Sequence, residues 1–292
     1  MSSKRRAHSL EEFFPKIAGL QSKESAAHAR TFLPRSDDIL IATFPKSGTT
    51  WIQQICHGLR TSGDMTFDEI TFVVPWIEMA HDLGLDSNAE QVANPRCFKS
   101  HDTWEDIAKG ARYIYVVRNP YDVAISMFNF MDGWFIEPGT VALEEFIPAF
   151  FAANYRERGY WRHLLSWWAQ KDNPDVLFCA YENMKVDLPG TVKRIAEFMG
   201  ITDLEVIKIA TEQASYEFMN ANNRQFDDHI VSEAKNDALG LPPYAMSTKV
   251  RKGVSQTATL NDELRVLLDK IWEEIIEAKL GFSDYDALLK AL

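Results

Sequence analysis

Residues 39–51 read ILIATFPKSGTTW and join two different hydrophobic patterns. The first part, 39–44, is a short apolar run of the kind that forms a buried strand in a parallel sheet. The second part leads into 50–60, where apolar residues recur at helical spacing and predict an amphipathic helix. The segment therefore predicts a strand, a tight connection and a helix, with polar residues concentrated in the connection.

The connection has the properties of a phosphate-binding loop. A helix N-terminus offers free backbone N–H groups and a partial positive charge, Gly48 permits close backbone approach, and Lys46 supplies a full charge. Further hydroxyl donors come from Ser47, Thr49 and Thr50. An ordinary strand-to-helix turn would explain the glycine and threonines, but not the whole octapeptide 44–51. The order also differs from the G-x-x-x-x-G-K-[ST] loop of common nucleotide hydrolases, because here the lysine precedes the only glycine.

Similar hydrophobic patterns recur along the chain. Apolar runs at 112–117 and 176–180 predict two more buried strands. Helices are predicted at 121–131, 143–155, 161–170 and 189–199, and a long C-terminal helix, from about 260 to about 281, is expected to pack against the sheet. Strands that alternate with helices indicate an α/β fold. Because no internal repeat or low-complexity tract interrupts the pattern, 1–292 is interpreted as a single domain.

One stretch lacks a sustained period. Residues 224–249 are polar and contain Gly240-Leu241-Pro242-Pro243, a combination typical of turns. We expect a mobile loop here, and loops of this length often cover functional sites.

The charge balance restricts the possible partners. The formal net charge is −11, which opposes nonspecific binding to nucleic acid or to anionic membranes, so an anionic ligand must meet a local basic cluster. The three cysteines lack the spacing of a disulfide framework or a zinc site, and no metal site is expected. No signal peptide or apolar stretch of roughly 20 residues is evident. We expect a cytoplasmic protein.

Three other polar segments could carry chemistry: 96–102 (RCFKSHD), 118–126 (RNPYDVAIS) and 251–253 (RKG). Arg118 can fork onto phosphate oxygens, and Ser126, two turns into the following helix, can donate a hydroxyl. Each segment also has a structural interpretation. The Arg-Asn-Pro turn with Asp122 as a helix cap is common, a single histidine at a strand end is usually structural, and a basic tripeptide is usually a solvated surface.

Taken together, these segments resemble the cytosolic sulfotransferase family, over about 37–253. TFPKSGTTW resembles the family's 5′-phosphosulfate loop, and the segment from Arg118 to Ser126 resembles its 3′-phosphate segment. Arg251, Lys252 and Gly253 resemble a late element that also holds the 3′-phosphate. The resemblance implies a three-layer α/β/α fold around a central parallel sheet with a loop of P-loop type. It also implies 3′-phosphoadenosine-5′-phosphosulfate (PAPS) as cosubstrate, without a metal.

The resemblance also assigns roles in catalysis. The segment 96–102 resembles the family's Lys-x-His element, so His101 is expected to act as the general base that removes a proton from a hydroxyl or amine of the acceptor. Histidine suits this task because its ordinary pKa lies near neutrality. Lys46 is expected to stabilise the departing phosphate oxygen and Lys99 the sulfuryl oxygens, with Ser126 beside them.

Matching family segments suggest further binding residues. Trp51, Tyr181 and Tyr216 are expected to contact adenine, since aromatic faces stack on a purine, although each could equally be an ordinary core residue. Trp76 and Phe130 fall at positions that line the family's acceptor pocket and suggest a small, largely apolar acceptor.

The chain departs from the family pattern in two places. At 254–260 the family usually has a second glycine, an Asp-Trp pair and a basic residue, none of which is present here, so no oligomeric state is implied. Ala214 replaces a threonine of the family.

Two other functions remain open from the sequence. A catalytically inactive protein that binds adenosine 3′,5′-bisphosphate is conceivable because of the altered 254–260 segment. A P-loop kinase is disfavoured by the order of lysine and glycine and by the lack of a paired acidic magnesium site.

Overall fold

The computed structural model describes residues 4–247, 249 and 257–292. Its centre is a sheet of four parallel strands in the order β2-β1-β3-β4. The strands are β1 (Ile39–Thr43), β2 (Cys97–Ser100), β3 (Arg112–Val117) and β4 (Val176–Ala180). The strands predicted at 39–44, 112–117 and 176–180 are thus confirmed. Because all four strands are parallel, their carboxyl ends lie along one edge of the sheet.

Helices occur before the sheet and in the connections between its strands. Those that precede β4 are α1 (Leu10–Ala18), α2 (Lys23–Ala29), α3 (Thr49–Thr61), α4 (Ile70–Val73), α5 (Pro120–Trp134), α6 (Leu143–Phe146) and α7 (Tyr160–Trp168). Short 3₁₀ turns occur at Ile77–Met79 and His81–Leu83.

The second half of the chain is mostly helical. After β4 come α8 (Tyr181–Val186), α9 (Leu188–Met199), α10 (Leu204–Gln213), α11 (Tyr216–Ala221), α12 (His229–Lys235), α13 (Asp262–Trp272), α14 (Ala278–Leu280) and α15 (Tyr285–Leu289). Two further 3₁₀ turns lie at Asn223–Phe226 and Thr257–Thr259.

Both faces of the sheet are covered by helices. Side chains alternate along each strand, so Leu40 and Tyr115 join one core with residues of α5 and α7. Ile41 and Val116 point to the other face and join a core with residues of α3, α9 and α10. These two cores confirm the predicted three-layer α/β/α arrangement.

Strand β2 does not appear among the sequence-based predictions. Its four residues include Lys99 and Ser100, so the segment lacks the continuous apolar character of the other strands. All four are nevertheless buried, because β2 pairs with β1 and is covered by neighbouring segments. A buried strand with polar residues is identified from its pairing with a neighbouring strand, because its own hydrophobic pattern does not indicate a strand.

The predicted helix at 143–155 is shorter than expected. It begins as α6 and continues as a π-helical turn, Ile147–Phe151, in which the N–H of Ala152 donates to the carbonyl of Ile147 at 2.8 Å. Pro148 has no N–H to continue the regular helical ladder, which accounts for a wider turn at this point.

The prediction of a mobile loop at 224–249 is wrong for most of the segment. It contains α12, and Phe226, Val231, Leu241 and Ala245 are fully buried. Short elements and turns bring these residues into the core one at a time, so their spacing has no regular period. Periodicity detects long helices and strands, and it fails for apolar residues anchored in this way.

The predicted C-terminal helix is present, with a π-helical turn, Glu273–Glu277, between α13 and α14, and it ends at Gly281. It packs mainly on α7. Helix α7 in turn covers the sheet, where Trp167 stacks on Tyr115 with ring centroids 5.2 Å apart. The long aromatic side chains of α7 therefore occupy the place predicted for the C-terminal helix.

Candidate active site

The predicted functional segments meet where the strands end. The loop 44–48 follows β1, His101 follows β2, Arg118 follows β3 and Tyr181 follows β4. In open α/β sheets the carboxyl ends of the strands form the usual ligand-binding crevice. Here residues from all four strand ends line one cavity of about 1060 Å³. Segments that are up to 137 residues apart along the chain, from 44 to 181, therefore form one site.

The loop after β1 has an unusual backbone that brings it close to Tyr181. Lys46 has φ 73° and Gly48 has φ 105°, both in the left-handed region that favours glycine. A Cβ atom at position 48 would lie 2.9 Å from Cδ2 of Tyr181. Helix α3 begins immediately afterwards at Thr49, whose hydroxyl lies 2.6 Å from that of Thr43. Only glycine fits at position 48, next to the first free amides of α3.

Arg118 joins the end of β3 to this loop. Its Nη1 donates to the carbonyl of Lys46 at 2.8 Å, and its guanidinium lies 4.2 Å from the ring centroid of Tyr181. Its Nε is buried and has no hydrogen-bond partner in the described part of the chain. The guanidinium therefore holds the loop and keeps unused hydrogen-bonding capacity at the cavity. Ser126 lies two turns into α5 and lines the same cavity.

The two residues at the tip of the loop differ in exposure. Lys46 lines the cavity, and its Nζ lies 3.8 Å from the ring centroid of Phe130. Ser47 is fully buried, and its hydroxyl has no hydrogen-bond partner among the described residues. Ser47 is not among the residues that line the cavity. Ligand binding by the hydroxyl of Ser47 therefore stays a prediction. Gly48, Thr49 and Thr50 do line the cavity wall.

His101 is held in one tautomer. Its Nδ1 lies 2.8 Å from the carbonyl oxygen of Thr43, which can only accept, so Nδ1 carries the proton and Nε2 keeps its lone pair. Its backbone N–H donates to Oε1 of Glu78 at 2.8 Å. Burial, followed by the charge of Lys99, holds the pKa of His101 well below its ordinary value. The ring is therefore neutral at pH 7 and can accept a proton at Nε2 in the cavity.

Lys99 is a buried cation between an aromatic face and a carboxylate. Its Nζ lies 3.9 Å from the ring centroid of Trp76 and 4.0 Å from Oδ2 of Asp228. Burial lowers the pKa of Lys99 to about 8, although the charge of Asp228 opposes this shift. Lys99 therefore loses its positive charge as the pH rises through about 8.

Two carboxylates next to these residues have no role in the sequence-based predictions. Oε1 of Glu78 accepts from the hydroxyl of Ser100 at 2.5 Å and from the N–H of His101, so Glu78 fixes the segment that presents His101. Burial raises the pKa of Glu78. Asp228 lines the cavity beside Lys99. The only sequence signal for Glu78 is its place in the run Pro75-Trp76-Ile77-Glu78. Asp228 was missed because it falls in the segment interpreted from its sequence as a loop.

The predicted adenine contacts lie on the cavity wall. Trp51 and Tyr181 meet edge to face, with ring centroids 5.5 Å apart at 69°. The indole Nε1 of Trp51 donates to the carbonyl of Ala214 at 2.8 Å, which fixes the ring. Tyr216 is 37% exposed at the start of α11. All three line the cavity together with Arg118, so the aromatic and basic groups expected at one nucleotide are adjacent to one space.

The rest of the wall is apolar. Trp76 and Phe130, the predicted acceptor contacts, each cover one of the lysines. The other apolar residues of the wall come mainly from α1, α5 and the turn after α6, and include Phe14, Ile17, Met127, Trp134, Phe150 and Phe151. Such a wall suits an apolar ligand body next to the charged groups.

The third predicted phosphate element, Arg251, Lys252 and Gly253, lies outside the described residues. Lys249, two positions earlier, is described and lines the cavity. In the described ranges no helix is long and apolar enough to cross a membrane. The same ranges contain no group of three or more His, Cys, Asp or Glu side chains that could hold a metal ion.

Comparison with known proteins decides the family. Residues 36–283 match the sulfotransferase domain family. The chain belongs to the sulfotransferase family. This sulfotransferase is 33% identical over 240 residues to sulfotransferase 1B1 of Canis lupus familiaris, and the match covers 77% of each chain. It is 30% identical over 247 residues to sulfotransferase 1E1 of Bos taurus, with 77% of this chain and 83% of the bovine chain covered.

Solved structures share the fold. A retinol dehydratase in complex with androsterone and the inactive cofactor PAP matches with a TM-score of 0.68 at 20% identity, covering 90% of this chain and 86% of that one. A mouse sulfotransferase complexed with PAP matches with a TM-score of 0.65 at 24% identity, covering 88% and 91%. These likenesses confirm the predicted α/β/α fold and its loop of P-loop type in this sulfotransferase.

Proposed function

We propose that this sulfotransferase uses PAPS to transfer a sulfuryl group to a hydroxyl, or alternatively an amine, of a small and largely apolar acceptor. The observation that carries the proposal is the state of His101. Its Nδ1 is fixed by the carbonyl of Thr43, so a neutral Nε2 is available in the cavity that Lys46 and Lys99 also line. A proton acceptor beside two cations is the combination that sulfuryl transfer requires.

The nucleotide end would be held by the loop after β1 and by Arg118. The first amides of α3 and the charge of Lys46 suit the 5′-phosphosulfate. Arg118 and Ser126 suit the 3′-phosphate, together with Arg251, Lys252 and the backbone of Gly253. The unpartnered Nε of Arg118 supports this fit, because a buried polar group that the protein leaves without a partner is open to a hydrogen bond from water, an ion or a ligand.

PAPS supplies an activated sulfuryl group, and the protein's part is to move one proton and stabilise charge. His101 Nε2 accepts the proton of the acceptor hydroxyl as its oxygen attacks sulfur in line. Lys46 stabilises the negative charge that develops on the departing phosphate oxygen, and Lys99 stabilises the sulfuryl oxygens. Ser126 contributes a hydroxyl donor near the phosphates. Because these groups are cations and N–H or O–H donors, the proposed reaction needs no metal.

The acceptor would lie against the apolar wall. Trp76 and Phe130 flank the lysines, so an apolar body that packs on these rings would place its hydroxyl near His101. The proposed site of action is the cytoplasm, as in the cytosolic sulfotransferases that the sequence resembles. The whole chain is proposed to act as one sulfotransferase domain.

The test is transfer from radiolabelled PAPS to a panel of phenols, alcohols and amines. A sulfated product identified by mass supports the proposal. Tight nucleotide binding without any product would instead indicate the inactive binding protein, and phosphorylated product from ATP with Mg²⁺ would indicate the kinase.

Calorimetry with adenosine 3′,5′-bisphosphate tests the nucleotide site separately. We expect equal affinity with and without a chelator, because basic side chains and helix amides neutralise the phosphates. Arg118→Ala and Arg251→Ala should weaken this ligand far more than adenosine 5′-phosphate. Arg156→Ala is the matched control, because this exposed arginine contacts Glu274 and Tyr155 at the surface in the described part of the chain. Equal losses for the two nucleotides would contradict the assignment of the 3′-phosphate.

A further inference from the structure

Asp228 occupies an unusual place next to the proposed reaction centre. It precedes α12 with a left-handed backbone, φ 61°, and only 6% of its surface is exposed. It lines the cavity, although one carboxylate oxygen, Oδ1, is buried and has no hydrogen-bond partner among the described residues. Left-handed backbone is tolerated best by glycine, asparagine and aspartate. The surrounding structure therefore holds a single buried carboxylate at the wall.

This carboxylate is shared by two lysines. Its Oδ2 lies 4.0 Å from Nζ of Lys99, too far for a hydrogen bond but close enough for a strong charge interaction. The same Oδ2 forms an ion pair with Lys249. Burial would raise the pKa of Asp228, but the charges of Lys249 and then Lys99 outweigh it and hold the pKa well below its ordinary value. Asp228 is consequently ionised at every pH at which the protein would work.

Lys99 depends on this negative charge. A buried ammonium loses the hydration that stabilises it in water, so it keeps its proton only if an anion is close. Among the described residues, the other charged groups that act most strongly on Lys99 or on Asp228 are Lys46, Lys249, Glu69 and Glu78, and the neutral ring of His101 also lies within range of the charge of Lys99. Burial, followed by the charge of Asp228, raises the pKa of Glu69 to about 7, and burial raises that of Glu78. Both glutamates are thus weaker counter-charges than Asp228.

We propose that Asp228 is a positioning residue that holds the ammonium of Lys99 against Trp76 and keeps it charged for the stabilisation of the sulfuryl oxygens. The proposal rests on the function proposed above, in which Lys99 carries that role. Lys249 competes with Lys99 for the same carboxylate oxygen. The pKa of Lys99 should therefore fall when the charge of Asp228 is removed and rise when the charge of Lys249 is removed.

The variants Asp228→Asn and Lys249→Met test this opposition. Asparagine keeps the size and the left-handed backbone of Asp228 but removes its charge. Methionine keeps most of the length of Lys249 and removes a positive charge that disfavours the protonation of Lys99. Asp237→Asn is the matched control, because it removes one negative charge from an exposed residue that pairs with Lys4 at the surface.

Protonation of Lys99 can be followed without any turnover. In protein labelled with ¹³C at the ε-carbon of lysine, the shift of each signal reports the charge of its ammonium, and Lys99→Arg identifies the signal of Lys99. We expect Asp228→Asn to lower the pKa of Lys99 by about one unit or more, the usual effect of an opposite charge at this distance. Lys249→Met should raise it, and Asp237→Asn should leave it in place.

The pH dependence of kcat gives the second measurement. Lys99 acts when protonated, so activity falls as pH rises through its pKa of about 8. A decrease of about one unit in that pKa would reduce the protonated fraction at pH 8 by about fivefold, so Asp228→Asn should lose that factor at pH 8 and little at pH 6. Lys249→Met should shift the alkaline limb to higher pH. Saturating PAPS separates these effects from nucleotide affinity.

The outcomes are distinguishable. A titration of Lys99 that is unchanged in Asp228→Asn and in Lys249→Met would overturn the inference, whatever the enzyme does. Equal losses of activity at pH 6 and pH 8 would also overturn it, because that pattern indicates structural damage rather than loss of charge. If the titration moves as expected but the wild-type protein transfers no sulfuryl group, the proposed function fails and the electrostatic control of Lys99 stands. If Asp228→Asn does not fold, the opposite shift in Lys249→Met decides.

Discussion

The chemistry of His101 is set by one hydrogen bond to the backbone. The carbonyl of Thr43, at the end of β1, accepts the Nδ1 proton and leaves Nε2 free to accept a second one. Glu78 fixes the backbone of the same residue by accepting from its N–H. A histidine with this pair of contacts has one orientation and one tautomer, as a general base requires.

Replacement of His101 should therefore separate chemistry from binding. We expect His101→Ala to reduce single-turnover sulfation of an alcohol by at least about 100-fold, the lower limit of a typical general-base contribution. A nitrophenol should lose less, because it ionises without help. Affinity for adenosine 3′,5′-bisphosphate should be unchanged, because the base acts on the acceptor.

His101→Asn is the matched variant. The asparagine amide can donate to the carbonyl of Thr43 as Nδ1–H does, so the fold is kept while the base is lost. Full activity of either variant with the alcohol would remove His101 from the mechanism. Because the pKa of His101 lies well below 6.5 and the neutral form is the active one, the wild-type rate should stay level from pH 7 down to well below pH 6.5.

Among the secondary structure elements, α12 is the one that shows most clearly that 224–249 is not a loop throughout. Its residues Ile230 and Val231 are buried, and the ring of His229 lies between Asp68 and Asp227, at 3.0 and 2.7 Å. The helix thus connects the core to the segment before β2 and places Asp228 at the cavity wall. It behaves as part of the scaffold, with packing that does not depend on a ligand.

Hydrogen exchange tests this view of α12. We expect its amides from Ser232 to Lys235 to be protected in the free protein and to change little when adenosine 3′,5′-bisphosphate is added, because hydrogen-bonded helical amides exchange only through local or global unfolding. Rapid exchange of α12 in the free protein, followed by protection with the ligand, would instead support a mobile cover.

At the scale of the whole molecule, the edge of the sheet opposite the site contains a buried ion pair. The guanidinium of Arg96, before β2, donates to both carboxylate oxygens of Asp38, before β1, at 2.9 and 2.6 Å. Arg96 is 2% exposed and Asp38 is fully buried. The pair joins the beginnings of two central strands, so its loss should affect the stability of the fold and not the strand ends that form the site.

Urea unfolding should show this division. Asp38→Ala leaves a buried, unpaired guanidinium and is expected to lower the free energy of unfolding by about 3–5 kcal/mol. Nucleotide affinity of the folded protein should be close to that of the wild type. Glu90→Ala, which breaks the exposed pair with Arg35, should change stability little. The wild type should unfold in one cooperative transition if 1–292 is one domain, and two separate transitions would contradict that prediction.

Features that depend on neighbouring residues in the chain could be predicted from the sequence. Strand β1, the loop with Lys46 and Gly48, and helix α3 lie within one continuous segment, so hydrophobic period, charge and glycine indicate them together. The strand-end position of Arg118 and the helical position of Ser126 follow from the same local signals. For this reason the α/β class, the loop after β1 and the charged and aromatic residues at the strand ends could be predicted before the structure, whereas most of the apolar cavity wall could not.

Contacts between distant segments were decided only by the tertiary structure. The tautomer of His101 depends on a carbonyl 58 residues away, and the charge of Lys99 depends on a carboxylate 129 residues away. Strand β2 is half polar in sequence, and it is buried because it pairs with β1 and is covered by neighbouring segments. The pKa of a side chain is set by burial and by nearby charges, and neither can be predicted from the residues next to it in the chain. Distance in space, which the sequence does not encode residue by residue, therefore decides which of its charged groups act together.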